Sequence, residues 1–130
     1  MIDADRDSDR DADRGSASLT IVLLAPLLLL LMFAGFQAAM WNHARTEARV
    51  IARETAVLVA RDRLPATRAI AAASSSLAND SVLSDTRVSV DTTAKIVTVT
   101  ITGQAPGILR GTSAAMRVTV AVPLEGWVPL

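Results

Sequence analysis

Apolar and polar positions divide the chain into four regimes. Residues 3–14 set aspartate against arginine, alanine and serine in three tetrads, DADR, DSDR and DADR, with almost no apolar surface. From Leu19 to Trp41 the sequence LTIVLLAPLLLLLMFAGFQAAMW carries no ionisable side chain. That run exceeds the roughly 20 residues a helix needs to cross about 30 Å of hydrocarbon, so it predicts a membrane-spanning helix. Pro26 removes the hydrogen bond to the Val22 carbonyl and predicts a gentle bend, while Gly35 offers a place for close helix approach. Thr20 and Gln37 are the polar side chains inside the run, each near one end and within reach of interfacial water, and Trp41 sits where an aromatic depth marker belongs.

The next regime keeps a helical period. No glycine or proline interrupts Asn42 to Arg63, and alanine, arginine and glutamate are strong helix formers, so the spanning helix is expected to continue into water as one rod. At about 100° per residue, Ala44, Ala48, Ile51, Ala52, Thr55, Leu58 and Val59 share a face, with Arg45, Arg49 and Arg53 as a stripe beside it and Glu47 and Glu54 on the far side. None of these arginines has a carboxylate three or four residues away to neutralise it. The stripe is therefore free to meet lipid phosphates or an acidic face on a partner. The alanine-rich face suits another helix or the chain's own sheet, and the sheet is the plainer expectation. Pro65 ends the rod, because the residue before proline is pushed out of helical geometry. A helix resumes over residues 66–73, weakens at Ser74, Ser75 and Ser76, and exits at Asn79-Asp80.

The last regime alternates with period two. Val88 and Val90 share a face in Arg87–Asp91; Val97, Val99 and Ile101 oppose Thr98, Thr100 and Thr102; Met116, Val118, Val120 and Val122 repeat the pattern. Three half-buried strands follow, the first two joined by the short link Thr92 to Lys95 and the last two by the longer GQAPGILRGTS. That longer loop is not a phosphate loop, since no lysine follows its glycines and a strand, not a helix, comes next. Its apolar tip, Ile108-Leu109, is expected to fold under the sheet or to enter a neighbouring subunit.

Together these elements predict an α+β membrane protein: a disordered acidic leader (1–15), one N-terminal transmembrane helix (16–41), a long exposed helical stalk broken at Pro65 (42–80), and a small antiparallel sheet of about three strands (81–130). Composition narrows its chemistry. The formal net charge is zero, yet aspartate gathers before the span and arginine after it, with no basic block dense enough to bind nucleic acid. Arginines lie on both sides of the span, so charge alone does not set its orientation. The apolar run is too long for a cleaved secretory signal and no A-x-A pattern follows it, which favours an uncleaved anchor. The absence of cysteine excludes disulfides, thiolate metal sites and cysteine nucleophiles. Beyond the span the single aromatic residue is Trp127, placed to cover an edge of a very small sheet with a thin core.

The stretch RGSASLTIVLLAPLLLLL, with its Arg14-Gly15 pair, small residues and Leu-Ala-Pro helix, resembles the TadE-like family, the minor pseudopilins of tight-adherence (Flp) pili. The segments KIVTVTITG and SAAMRVTVAVPL look like that family's last strands. The resemblance implies prepilin-peptidase cleavage between Gly15 and Ser16, a leader in the cytoplasm, and a C-terminal part exported across the bacterial inner membrane, with a place in a surface pilus as a further implication. It implies membrane lipid, prepilin peptidase and other pilin-like or pilus-assembly subunits as partners. The family's glutamate, five residues beyond the glycine, is replaced here by Thr20, which cannot offer a charge to a neighbouring subunit's new amino terminus.

The expected role is structural and non-enzymatic, without a cofactor or metal. His43, just past the interfacial Trp41, reads as a headgroup-level polar group rather than a ligand or base. The downstream carboxylates Asp80, Asp85, Asp91 and Glu125 have no following histidine, cysteine or tyrosine to work with. The alternative reading is a permanent single-pass scaffold that recruits partners without entering a filament.

Overall fold

The structure, a computed structural model, describes the backbone of residues 4–124 and the side chains of residues 15–124. Helix α1 covers Ala4–Arg61, α2 covers Ala66–Asp80, and the strands are β1 (Ser84–Thr92), β2 (Ile96–Ala105) and β3 (Ala114–Pro123). The α+β class and the three-stranded antiparallel sheet expected from the sequence are present. Of the expected leader, residues 1–3 and all side chains before Gly15 lie outside the described set, and the helical backbone is drawn from Ala4 onward. Trp127 and Glu125 also fall outside the described residues.

The chain forms two compact units, residues 1–36 and 37–130. In the first, the large apolar side chains from Leu19 to Phe36 are exposed to whatever surrounds the protein. Helix α1 is long and apolar enough to cross a membrane, with a mean hydropathy of 2.6 over its most apolar window and none of that window buried within the protein. Pro26 stands inside it.

In the second unit the Gln37–Arg61 part of α1 carries the sheet and α2. Ala44, Ala48, Ala52, Ala56 and Ala60 form a ridge of small, buried residues four apart. Burial widens along it, from one residue per turn at Ala44 and Ala48 to Thr55, Ala56, Val59 and Ala60 together. Small side chains let a sheet approach the helix axis closely, which is why a core whose described residues include no aromatic side chain still closes. The alanine face thus packs within the chain, in one buried cluster with Leu77 of α2 and with Val97, Val99, Ile101, Met116 and Val118 of the sheet. Among the described residues Thr55 is the one buried polar side chain, and its hydroxyl donates to the Ile51 carbonyl at 2.7 Å.

Helix α1 stops at Arg61, two residues short of the expected Arg63. The Asp62 and Leu64 amides both donate to the Leu58 carbonyl, and Arg63 takes a left-handed φ of 50° that turns the chain out of the helix. Pro65 then opens α2, and the Arg68 and Ala69 amides donate back to its carbonyl. The triple serine does not weaken α2 as expected; the helix runs through it to Asp80, held by Ala69, Ala73 and Leu77 on its buried face. Glu47 is not on a solvated far side either. It is half-buried, and its Oε2 accepts the Val82 amide at 3.3 Å. The 15 residues of α2 match the 15 from Glu47 to Arg61, each about 22 Å long. This match brings the exit of α2 back to Glu47, so α2 runs antiparallel to α1.

The strand order is β1-β2-β3, with β2 central and both neighbours antiparallel. Val90, Val99 and Val120 form one inward row across the sheet, and Val88, Ile101 and Val118 the next. The outward face carries threonines, including the Thr100–Thr119 hydroxyl pair at 3.3 Å. A bulge between Ser84 and Arg87, where Asp85 has φ 49°, bends β1. Gly103 is needed beside it, since a Cβ there would come within 3.2 Å of both the Ser84 carbonyl and the Thr86 methyl.

Candidate membrane anchor and partner-facing surface

The residues singled out from the sequence occupy separate stretches of α1. Gly15, Ser16 and Thr20 are exposed near the start of the described side chains. The Thr20 hydroxyl donates to the Ser16 carbonyl at 2.8 Å, so the residue at the family's glutamate position satisfies itself within its own helix. Arg45, Arg49 and Arg53 are exposed and have no ion-pair partner among the described residues. Arg49, Arg53 and Val57 of α1 line a groove together with Val120, Val122 and Pro123 of the edge strand β3. Two arginines of the stripe, Arg49 and Arg53, and the outer edge of β3 therefore border the same space. His43 is exposed on the same helix, with its Nε2 3.0 Å from Glu47 Oε1.

Spacing missed the residue that joins the end of the apolar run to the sheet domain. Gln37 is half-buried, and its carboxamide reads the β2–β3 loop on both sides: Oε1 accepts the Ile108 amide at 2.8 Å, and Nε2 donates to the Pro106 carbonyl at 3.3 Å. The available signal was its position. An amide with two donors and two acceptors at the end of an apolar helix needs a partner, and the chain's own loop supplies it.

That loop does not fold under the sheet. Leu109 is 70% exposed and Ile108 38% exposed. A Cβ on Gly107 would collide with the Thr112 hydroxyl and backbone, and Gly111 takes φ +88°, so both glycines are needed for the loop's shape.

Among the described residues no group of three or more histidines and carboxylates is placed to hold a metal ion. Asp80, Asp85 and Asp91 are exposed and stand on different elements or at opposite ends of one strand. They form no acid–base pair.

An exposed apolar helix long enough to cross a bilayer, continuous in sequence with a small α+β domain, fits a membrane-anchored protein. In the comparison with known families, the family model for TadE-like protein matches residues 15–57. The match covers the apolar run and the first part of the stalk, and ends at residue 57, before α2 and the strands. No curated protein and no solved structure matches the chain.

Proposed function

We propose that this protein is a non-enzymatic, pilin-like component or assembly factor of a tight-adherence pilus or related secretion system. The observation that carries this reading is the TadE-like match over residues 15–57, which falls on the span and the arginine-bearing stalk together. The leader would lie in the cytoplasm, the span in the bacterial inner membrane, and the α+β domain outside it. Prepilin peptidase would cut between Gly15 and Ser16, and other pilus subunits would meet the exported surface.

The stripe divides by depth. Measured from Trp41, Arg45, Arg49 and Arg53 stand about 6, 12 and 18 Å along the helix. The polar headgroup layer adds only about 5–8 Å per side to the hydrocarbon. Arg45 then suits lipid phosphates, whereas Arg53 stands clear of them and suits an acidic surface on a neighbouring subunit.

A second reading, a permanent single-pass scaffold, is favoured by Thr20, a neutral residue whose hydroxyl is already engaged by Ser16. Mass spectrometry of the native N-terminus, with fractionation of sheared pili, separates the two. A chain that begins at Ser16 and leaves with shed filaments supports the pilin-like role. An intact leader and strict retention in the membrane overturn it in favour of the scaffold.

A further inference from the structure

The β2–β3 loop combines three properties that a soluble loop seldom needs at once. Its tip is apolar and outward: Leu109 is 70% exposed and Ile108 38% exposed, whereas the sheet's other outward positions carry mostly threonine, serine and charged residues. Part of its polar backbone is satisfied by the chain itself. Gln37 takes the Ile108 amide and the Pro106 carbonyl. The Thr112 hydroxyl accepts the Leu109 amide at 3.2 Å and donates to the Leu109 carbonyl at 2.7 Å, and the Thr112 amide donates to that carbonyl at 3.1 Å. Each backbone group paired in this way costs less to bring from water toward lipid than an unpaired one.

The third property is position. Gln37 lies one turn before Trp41, about 6 Å back along α1 into the apolar run. A loop bonded to Gln37 is therefore at the level of the run's last turns, not at the level of the stalk. Arg110 follows the tip, exposed and without an ion-pair partner among the described residues, where a cationic side chain can reach phosphates while its neighbours go deeper.

We propose that this loop is a second membrane contact, in which Ile108 and Leu109 enter the lipid interface beside the Gln37 end of the span and Arg110 meets the headgroups. The proposal rests on the reading of α1 as a membrane span. A helix alone leaves a domain free to tilt and rotate about one point. A lipid-inserted loop gives the domain a second point and fixes which face of the sheet turns away from the bilayer. Gln37 is the positioning residue, because its amide holds the loop at that depth.

The test uses the cysteine-free full chain, in which each introduced cysteine is a unique label site. Leu28→Cys, Leu109→Cys and Asp91→Cys are each labelled with an environment-sensitive fluorophore and reconstituted into phosphatidylcholine–phosphatidylglycerol vesicles carrying doxyl lipids. Asp91 pairs with Thr98, and seven residues of β2 separate Thr98 from Ala105, about 23 Å of strand. The label at 28 is expected to lose most of its emission to deep doxyl groups, and the label at 109 to shift blue and lose most of its emission to shallow ones. The label at 91 is expected to behave as in water.

A water-like, unquenched label at 109 beside a quenched label at 28 overturns the loop contact while leaving the span intact. So does a label at 109 that is shielded from an aqueous quencher yet untouched by doxyl lipid, since the loop would then face protein. An unquenched label at 28 overturns the span and the loop contact together. Ile108→Cys repeats the measurement should Leu109→Cys misfold. Gln37→Ala in the Leu109→Cys background is expected to lower lipid quenching at 109 with unchanged circular dichroism; unchanged quenching would overturn its positioning role.

Discussion

The Glu47 carboxylate accepts the backbone amide of Val82 at 3.3 Å, across 35 residues of sequence. This bond closes the antiparallel pair of α1 and α2 at the point where the chain leaves α2 for the sheet. A hydrogen bond to a charged acceptor at a partly solvated site contributes about 1 kcal/mol. Glu47→Ala is therefore expected to lower stability by about that amount, and Glu47→Gln by less, because the amide oxygen keeps the acceptor. Chemical denaturation of the full chain in micelles measures both. Equal losses for the two variants would shift the contribution to the His43–Glu47 pair.

The alanine ridge leaves little room for larger side chains. Ala52 is fully buried, and extra methylenes in such a core typically cost about 1–3 kcal/mol. Ala52→Leu is expected to fall in or above that range. Val50, on the same helix, is 59% exposed, and Val50→Leu is expected to stay within about 0.5 kcal/mol of the parent. The comparison of midpoints tests whether the ridge, rather than helix propensity, sets the fit.

Ile101 lies at the centre of the sheet, between Val88 and Val118, with 1% of its surface exposed. Ile101→Ala is expected to cost about 2–5 kcal/mol, the usual range for a cavity of that size. With a core built from valine and alanine, that loss is expected to populate the unfolded domain, visible as reduced strand signal in circular dichroism at ordinary temperature.

Gly107 packs against Thr112 so closely that a methyl group has no place. Gly107→Ala is expected to displace the loop and break its bonds to Gln37 and within itself, while the strands keep their register. Hydrogen exchange should then quicken at the Ile108 and Leu109 amides and stay slow at Val99 and Ile101. Uniform acceleration would mean that the loop is integral to the sheet's stability.

Arg63 holds a left-handed φ of 50° just past the end of α1. A side chain in that conformation costs about 1–2 kcal/mol, part of which glycine returns as unfolded-state entropy. Arg63→Gly is expected to be neutral or to stabilise by up to about 1 kcal/mol, whereas Arg63→Val is expected to destabilise. A denaturation midpoint that falls for both would show that the guanidinium itself holds the turn.

The sequence alone determined the parts governed by local periodicity. An uncharged run from Leu19 to Trp41 can only be a buried or lipid-facing helix at that length. Pro65 breaks the stalk wherever the fold puts it, and alternating valines and threonines sort a strand's faces before any neighbour is known. The class and the strand count were legible for that reason, whereas the TadE-like likeness came from the particular residues of the Arg14-Gly15 and Leu-Ala-Pro stretch. Tertiary structure decided what each polar group inside those patterns meets. Glu47 lies on a helical face that spacing alone calls solvated, but α2 folds back along it and supplies the Val82 amide. Gln37 reads as a polar residue at the edge of a span until the β2–β3 loop, some seventy residues later, arrives to be held by it. Ile108 and Leu109 read as residues to be hidden, and they point outward because Gln37, Gly107 and Thr112 fix the loop's backbone. Hydrogen bonds between distant segments carry no period, so only the folded chain could reveal them.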